Sequence, residues 1–527
     1  MRFLLIKYTK RVVSAPLLLT ASLSAGAVYA EPEPIAQPHT VEPLTEVQIA
    51  QRNRGYGMFI HFGINTFNQV EWSDGKLPIS SYNPTKLDPG QWVKIAKQAG
   101  FRYIVLVTKH IDGFCLWDSK DNDYDVASSP VKTDVVAEVA KACKKHGLEL
   151  GIYYSLWDRH APSYRDPDPT VYQKYMRAHL EQLMSNYGPI CELWLDGGWD
   201  KGNNDWDIPA LSKLVKSLQP NCAISVNFTL HPPGKPTARH HTDDFQKEDP
   251  IRFWPVDFRL KDPEIARWDD PQLFRWHKDP AGQLRRLPFE HTICLSENWN
   301  WFQKEGIRPV RGLDELEQMF YWCTRGDGTL VLNIPPGQDG LILDHEARRA
   351  IELAERLGIV NGGPLPTEPR NQLWTSRARA IDDGAPKNEN PASNAVDSSV
   401  QTYWEANSRT PTLELTCKEA IEFDQIILHE KSIPQPLHPG DKRDIFSKKH
   451  LFHVREFKIE ACSEGKWTTI HRGKNIGHAL KIDLPGKMKA DALRLVIEQA
   501  DAPPRISHIA AALKSSAGLR PVYKVAE

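Results

Sequence analysis

From residue 57 onward the chain alternates between two kinds of hydrophobic pattern. Continuous apolar runs occupy 57–63 (GMFIHFG), 103–109 (YIVLVTK), 148–155, 191–196, 223–227, 292–295 and 329–333. Between them, apolar residues recur every three or four positions. One such stretch follows Asp88-Pro89, sets Trp92, Ile95, Ala96 and Ala99 on one face and stops at Gly100. Another covers 135–146, with Thr133 or Asp134 as the N-cap and Gly147 as the stop. Further helices are expected at 171–187, 208–218, 313–324 and 344–357. Strands without polar alternation are buried on both faces, so helices must cover both sides of a parallel sheet. Seven strands are visible, and an eighth is expected near 242–245. That count favours a closed (β/α)8-like barrel over an open doubly wound sheet. No GxGxxG follows a strand, so a dinucleotide site is unsupported. The irregular, Pro- and His-rich stretch 229–286 is too long for a connector and is expected to be an active-site loop.

Past Gly362-Gly363-Pro364 the period changes from helical to alternating. Residues 365–385 read as a linker. From 386 to 527, segments such as TLEL (412–415), QIIL (425–428), FKIE (457–460) and LRLV (493–496) are separated by turn residues, which predicts a β-sandwich. The barrel is assigned to 31–364.

Composition narrows the function. A chain of 527 residues is long enough for two or three domains. Its net charge of −1 gives no electrostatic case for nucleic acid or an anionic membrane. Sixteen Trp residues offer flat apolar faces suited to sugar rings. At the N-terminus, Arg2, Lys7, Lys10 and Arg11 precede an apolar stretch from 12 to 28 and a small-x-small site ending at Ala30. Residues 1–30 therefore read as a signal peptide, with a periplasmic or secreted mature protein and no membrane segment after cleavage. The eight cysteines lie scattered among apolar residues without CxxC or zinc spacing, and mostly free, buried thiols are expected.

Candidate chemistry gathers at the C-terminal ends of the runs, the catalytic face of a parallel α/β barrel. Cys191-Glu192-Leu193-Trp194-Leu195-Asp196-Gly197-Gly198-Trp199 reads as a buried strand ending at a carboxylate, with two glycines to turn the backbone. His61 ends the first strand. Lys109, His110 and Asp112 end the second, Tyr153, Tyr154 and Trp157 the third, and Asn227 the fifth; Trp299 and Trp301 lie near the sixth. A metal-dependent hydrolase with His61, His110 and Asp196 as ligands is one reading. It lacks His-x-His on the first strand and HExxH on any helix, so no metal or cofactor is expected. A glycoside hydrolase working with two carboxyl groups is the other.

GMFIHFGINTF, TKHIDGFCLWDSK, GIYYSLWDR, LWLDGGW and LVLNIPPGQDG, in this order over roughly 50–360, resemble the motifs of the α-L-fucosidases of glycoside hydrolase family 29. The resemblance implies a (β/α)8-like barrel, a retaining mechanism and a fucosylated glycan as substrate. It places the nucleophile on Asp196 and sugar contacts on His61, His110, Tyr154 and Trp194. For the acid/base it leaves several carboxyls open. Glu248 lies in a segment, Asp243-Asp244-Phe245-Gln246-Lys247-Glu248, similar to the one that carries it in some members. Glu290 resembles a Trp-Glu position with Phe289 in place of the Trp, and Asp243 and Asp244 stand behind both.

The chain departs from the family pattern in two places. Ile111 stands where many members have a second His, and Phe228-Thr229 follows Asn227 where many have Asp-Arg. Asn394-Ala395-Val396-Asp397 with Thr402-Tyr403-Trp404 resembles an F5/8 type C (discoidin-like) module, which implies carbohydrate binding by the C-terminal part. The VEWSDGK segment (70–76) is similar to fucosidases that favour branched α1,3/1,4-linked fucose.

Overall fold

The computed structural model describes residues 43–230, 248–261 and 276–522, apart from 298, 300, 303–307, 326–327, 374–375, 382, 384–389, 398–401 and 437–447. The signal peptide expected at 1–30, Asp243, Asp244 and the strand expected at 242–245 lie outside these residues, as does the side chain of Glu248.

Every apolar run forms a strand. The strands are β1 (Tyr56–Ile60), β2 (Tyr103–Lys109), β3 (Glu149–Ser155), β4 (Ile190–Asp196), β5 (Ala223–Val226), β6 (Arg259–Lys261), β7 (Phe289–Cys294) and β8 (Thr329–Asn333). They pair in parallel in the order β5-β4-β3-β2-β1-β8-β7-β6, and a parallel bridge between Asn227 and Leu260 joins the two ends. The sheet is therefore a nearly closed eight-stranded barrel. Its eighth strand is Arg259–Lys261, three residues inside the stretch read from sequence as a loop. That stretch also carries a small sheet of Glu248–Pro250, Trp276–Lys278 and Leu284–Arg286. Strands of three residues flanked by Arg, Lys and Pro leave no apolar run to detect.

Helices α1 (Glu46–Arg54), α2 (Pro89–Gln98), α3 (Val135–His146), α4 (Pro169–Asn186), α5 (Ile208–Leu218), α6 (Leu313–Thr324) and α7 (Asp344–Leu357) lie among the strands. Their starts are set by side-chain caps. Asp88, Asp134 and Asp168 each accept a backbone N–H of the first turn, and Thr45 with Gln48 forms a capping box ahead of α1. Two apolar layers result. Outward residues such as Met58, Ile104, Ile152, Leu193 and Leu195 pack in the large cluster shared with the helices. Inward residues Phe59, Tyr103, Val105, Val107, Tyr153, Trp194, Leu260 and Val331 fill the barrel interior. Strand alternation thus sorts each run between two cores.

The C-terminal part is an antiparallel sheet built on two long strands, Thr412–Glu430 and Leu480–Ala500. Register shifts at 416/421 and 423/425 interrupt their pairing. One apolar cluster takes Leu413 and Leu415 from one half of the first strand and Ile426 and Leu428 from the other. This sheet docks on α6. Lys481 N–H donates to Asp314, the Lys481 ammonium pairs with Glu317, and Trp322 meets His508 edge to face. From Glu315 to Thr324 every residue of α6 is buried, as a helix covered on both sides must be. None of the eight cysteines forms a disulfide; six are buried, and Cys191 and Cys417 are half-buried. Among the described residues no helix is long and apolar enough to cross a membrane.

The bottom of the barrel holds a buried ionic cluster. Arg54, from the last turn of α1, reaches the buried Glu192 at 3.5 Å and, at the edge of the cluster, the exposed Glu149 at 3.2 Å. Glu290 accepts hydrogen bonds from Gln51 (3.2 Å), the Tyr103 hydroxyl (2.8 Å) and the Trp194 indole (3.2 Å). Burial pushes the Glu192 carboxyl well up, with the neighbouring Glu290 adding to it and Arg54 opposing. Arg54 is the cation that lets these acids share one pocket. Arg54→Met is expected to cost about 3–5 kcal/mol, the usual consequence of breaking a buried pair from one side. Urea unfolding checks this, and adding Glu192→Gln to Arg54→Met is expected to restore part of the loss.

Candidate active site

Asp196 is the last residue of β4, and the phase of that strand decides where its side chain goes. Leu193 and Leu195 face the helices, so Glu192, Trp194 and Asp196 face inward, stacked from bottom to top of the barrel. Gly197 then turns the chain with φ +79°, and a Cβ there would lie 2.7 Å from Cβ of Trp157. Conformation and crowding both demand glycine. Asp196 Oδ2 accepts the Tyr153 hydroxyl at 2.6 Å, and Oδ1 accepts Asn227 Nδ2 at 2.9 Å. Burial raises the Asp196 carboxyl above its ordinary range, while these two donors and the Gly197 N–H oppose the rise.

Around this carboxyl stand the other strand-end residues. The His61 ring stacks on Phe59 at 4.5 Å and lies 5.1 Å from both Trp299 and Trp301. His110 stacks on Tyr153 at 5.8 Å and meets Trp301 edge-on at 5.3 Å. Burial drives the His61 imidazole down to about 3, so it is neutral at physiological pH. Its Nδ1 lies 3.0 Å from Asn333 Oδ1, an acceptor, so Nδ1 carries the proton and Nε2 keeps a lone pair. His110 is likewise lowered by burial, and its Nδ1 is buried without a hydrogen-bond partner among the described residues. Neutral imidazoles, indoles and a held carboxylate suit a polyhydroxyl ligand.

Glu71 was not singled out from sequence. It stands in the loop after β1, where its backbone carbonyl accepts Asn65 Nδ2 and its Oε1 accepts the Trp299 indole at 3.1 Å. Burial pushes its carboxyl up to about 8, and the Asp196 charge adds to the rise. Glu71 is therefore protonated at neutral pH and close enough to Asp196 to feel it. Its signal lay in the VEWSDGK segment, read for linkage rather than for chemistry.

Three expected site residues are placed elsewhere. Tyr154 faces outward, one position out of phase with Tyr153; its hydroxyl lies 3.2 Å from His179 Nδ1, and the Lys109 ammonium sits over its ring at 4.5 Å. Tyr153 takes the position beside Asp196. Trp194 faces inward but one layer below Asp196, stacked under Tyr153 at 5.4 Å with its indole on Glu290. It supports the floor of the site. Glu290 is the second residue of β7, four positions before the strand's end, or about 13 Å at ~3.3 Å per residue. A partner for Asp196 in a retaining pair belongs about 5–5.5 Å away. Glu290 is thus at the wrong end of the barrel, where Tyr103 and Gln51 hold it. Glu248 lies in the short strand Glu248–Pro250, shortly before Ile251, which bridges to Leu230 just past β5.

The two departures also have places. Ile111 packs in the helix-facing core, away from the barrel interior. Phe228 is buried with φ +57°, unusual for a bulky residue, and its ring lies edge-on to Trp199 at 5.1 Å. Lys109 pairs with Asp158 at 2.9 Å in full burial and, with the N–H groups of His160 and Ala161 on the same carboxylate, shapes the loop after β3. Among the described residues, no group of three or more His, Cys, Asp or Glu could hold a metal ion.

The chain as a whole is similar to several known proteins. The family model described as Alpha-L-fucosidase matches residues 36–361. The chain is 29% identical over 485 residues to Alpha-L-fucosidase 1 of Arabidopsis thaliana, covering 90% of this chain and 89% of that protein. It is 32% identical over 285 residues to the tissue alpha-L-fucosidase of Mus musculus, covering 51% and 55% respectively. Among solved structures, alpha-L-fucosidase isoenzyme 1 from Paenibacillus thiaminolyticus shares the fold, with a TM-score of 0.50 at 23% identity over 86% of this chain and all (100%) of that one. With more than half of its length matched by the family model, the chain belongs to the alpha-L-fucosidase family of glycoside hydrolases.

Proposed function

We propose that this protein is a retaining exo-α-L-fucosidase that removes terminal fucose from glycans, with Asp196 as nucleophile. The observation that carries the reading is the Tyr153–Asp196–Asn227 arrangement. A buried carboxylate is held by two donors at the open end of a barrel strand, beneath neutral histidines and two indoles. Asp196 attacks the anomeric carbon as the glycosidic bond breaks, giving a fucosyl-enzyme ester. An acid protonates the departing oxygen and then, as a base, deprotonates the water that releases fucose. His61 Nε2, with its lone pair, accepts a sugar hydroxyl, and Trp299 and Trp301 cover the apolar edge of the ring. Catalysis of this type needs positioning and two ionisable groups, with no cofactor.

For the acid/base the reading keeps Glu248, in the segment that leaves the barrel after β5. Glu71 is the second reading, favoured by its raised carboxyl beside Asp196. An acid held protonated next to an ionised nucleophile is the pattern by which environments separate two carboxyls. Export after cleavage at Ala30, preference for branched α1,3/1,4-linked fucose, and glycan binding by the C-terminal sheet domain complete the proposal. They are supported by the basic and apolar N-terminus, the VEWSDGK segment and the Asn394–Trp404 motif respectively.

Wild type is expected to release fucose from an aryl α-L-fucoside, and Asp196→Ala to lose at least about 10³-fold in kcat. Failure of wild type on every fucoside offered would refute the assignment. The acid/base is decided by azide rescue with an activated aryl fucoside. Glu248→Ala is expected to recover turnover with azide and give fucosyl azide of retained configuration, while Glu71→Gln is not. The pH profile gives the same answer independently. An acid must be protonated to act, so if Glu71 serves, activity falls as pH rises through about 8 and that limb disappears in Glu71→Gln. If Glu248 serves, the limb survives the Glu71 change.

A further inference from the structure

Asn227 holds Asp196 only if its amide faces the right way. Nδ2 must point at the carboxylate, because an amide oxygen turned there would meet a second acceptor. The next residue sets that orientation. The Phe228 backbone N–H, which can only donate, lies 2.9 Å from Asn227 Oδ1, and Nδ2 is thereby left to donate to Asp196 Oδ1 at 2.9 Å. The N–H is aimed by a turn in which Phe228 takes φ +57°. Gly, Asn and Asp enter this left-handed region readily, whereas a bulky residue stays there only where its surroundings hold it.

Those surroundings are specific. Before the turn, the Asn227 N–H donates to the Leu195 carbonyl at 2.7 Å. After it, the Thr229 hydroxyl accepts the Leu260 N–H of β6 at 2.9 Å. Between these anchors the Phe228 ring is only 6% exposed and lies edge-on to Trp199, 5.1 Å away at 87°. Trp199 is the third residue after Asp196. The backbone leading to it is fixed in turn. The Gly198 carbonyl accepts the Trp206 indole at 2.8 Å, and a Cβ on Gly198 would lie 2.6 Å from the Phe253 ring. A closed circuit results. It runs from Asp196 through the Gly-Gly turn to Trp199, across to Phe228, and back through Asn227 to the carboxylate.

We propose that Phe228 is a positioning residue for the nucleophile: its ring, seated against Trp199, holds the left-handed turn whose N–H aims the Asn227 amide at Asp196. This role rests on the fucosidase reading of Asp196. Phe228 acts through Asn227 rather than on the sugar. With the ring removed the turn relaxes, the Asn227 amide is free to rotate, and the buried Asp196 loses a donor that opposes its neutralisation. A smaller fraction of the carboxyl is then ionised at a given acidic pH, and its aim at the anomeric carbon loosens.

The test measures kcat, KM and the pH profile on an aryl α-L-fucoside for wild type, Phe228→Ala, Phe228→Tyr and Trp199→Ala. Phe228→Ala is expected to lower kcat about tenfold with KM within about twofold, and to move the acid limb of kcat/KM to higher pH. Trp199→Ala removes the same contact from a half-buried residue and is expected to move the limb in the same direction, which covers the case of a Phe228→Ala protein that does not fold. Phe228→Tyr keeps the ring and is expected to recover most of the rate. The other ionisable groups around Asp196, namely Tyr153, His61, His110 and Glu71, are the same in all these variants, so a shifted limb reports the Asn227 donor. Adding Phe228→Ala to Asn227→Ala is expected to cost no more than about twofold beyond Asn227→Ala alone, because one residue works through the other. An acid limb that stays in place in the alanine variants, a raised KM in Phe228→Ala without that shift, or losses that multiply in the double variant would each overturn the positioning role while leaving the fucosidase reading intact. No turnover by wild type would overturn that reading and this role with it.

Discussion

The structure turns on one buried carboxylate and what it costs to keep it ionised. Asp196 sits out of water at the top of the barrel, where an unpaired charge would neutralise itself. Tyr153 and Asn227 oppose that with short hydrogen bonds to both oxygens, each worth roughly 1.5–3 kcal/mol for a charged acceptor. These donors come from the neighbouring strand β3 and from the residue after β5. The charge therefore depends on correct register across three strands, and register depends on the alternation that sends Leu193 and Leu195 one way and Asp196 the other. Closure of the barrel contributes too, since the bridge from Asn227 to Leu260 fixes the donor on the far side.

The two ends of the barrel divide the work. At the bottom, Arg54, Glu192, Glu290, Gln51 and Tyr103 form a buried polar network. At the top, strand ends and loops carry two neutral histidines, two indoles and the Glu71 and Asp196 carboxyls. Trp194 connects the layers, with its indole on Glu290 below and its ring under Tyr153 above. Packing the interior with such side chains makes the barrel a rigid support rather than a channel.

Strand and helix positions were legible because parallel strands are continuous apolar runs and the helices carry their own caps and stops. The same property hid the site's finer detail. In a strand apolar on both faces, period two does not say which face is inward, so the sequence does not separate Tyr154, which the resemblance implies, from Tyr153, the residue in phase with Asp196. Glu290 was misplaced for a related reason. The run 292–295 marks only the apolar part of β7, and the strand starts at Phe289, which puts Glu290 at its base. Asp196 ends its strand and His61 and His110 directly follow theirs, so their place at the strand ends is legible from the chain order alone. Glu71 belongs to a loop with no period, and only its fold onto Trp299 and towards Asp196 reveals it.

The proposed retaining mechanism requires a covalent bond between Asp196 and the sugar. The direct measurement is mass spectrometry of the intact enzyme and its peptides after incubation with 2-deoxy-2-fluoro-α-L-fucosyl fluoride, which slows breakdown of a glycosyl-enzyme. The expected result is a gain of one fluorofucosyl group, located on the peptide that contains Asp196 and absent from Asp196→Ala. A label on another carboxyl, with Asp196 unmodified, would contradict it.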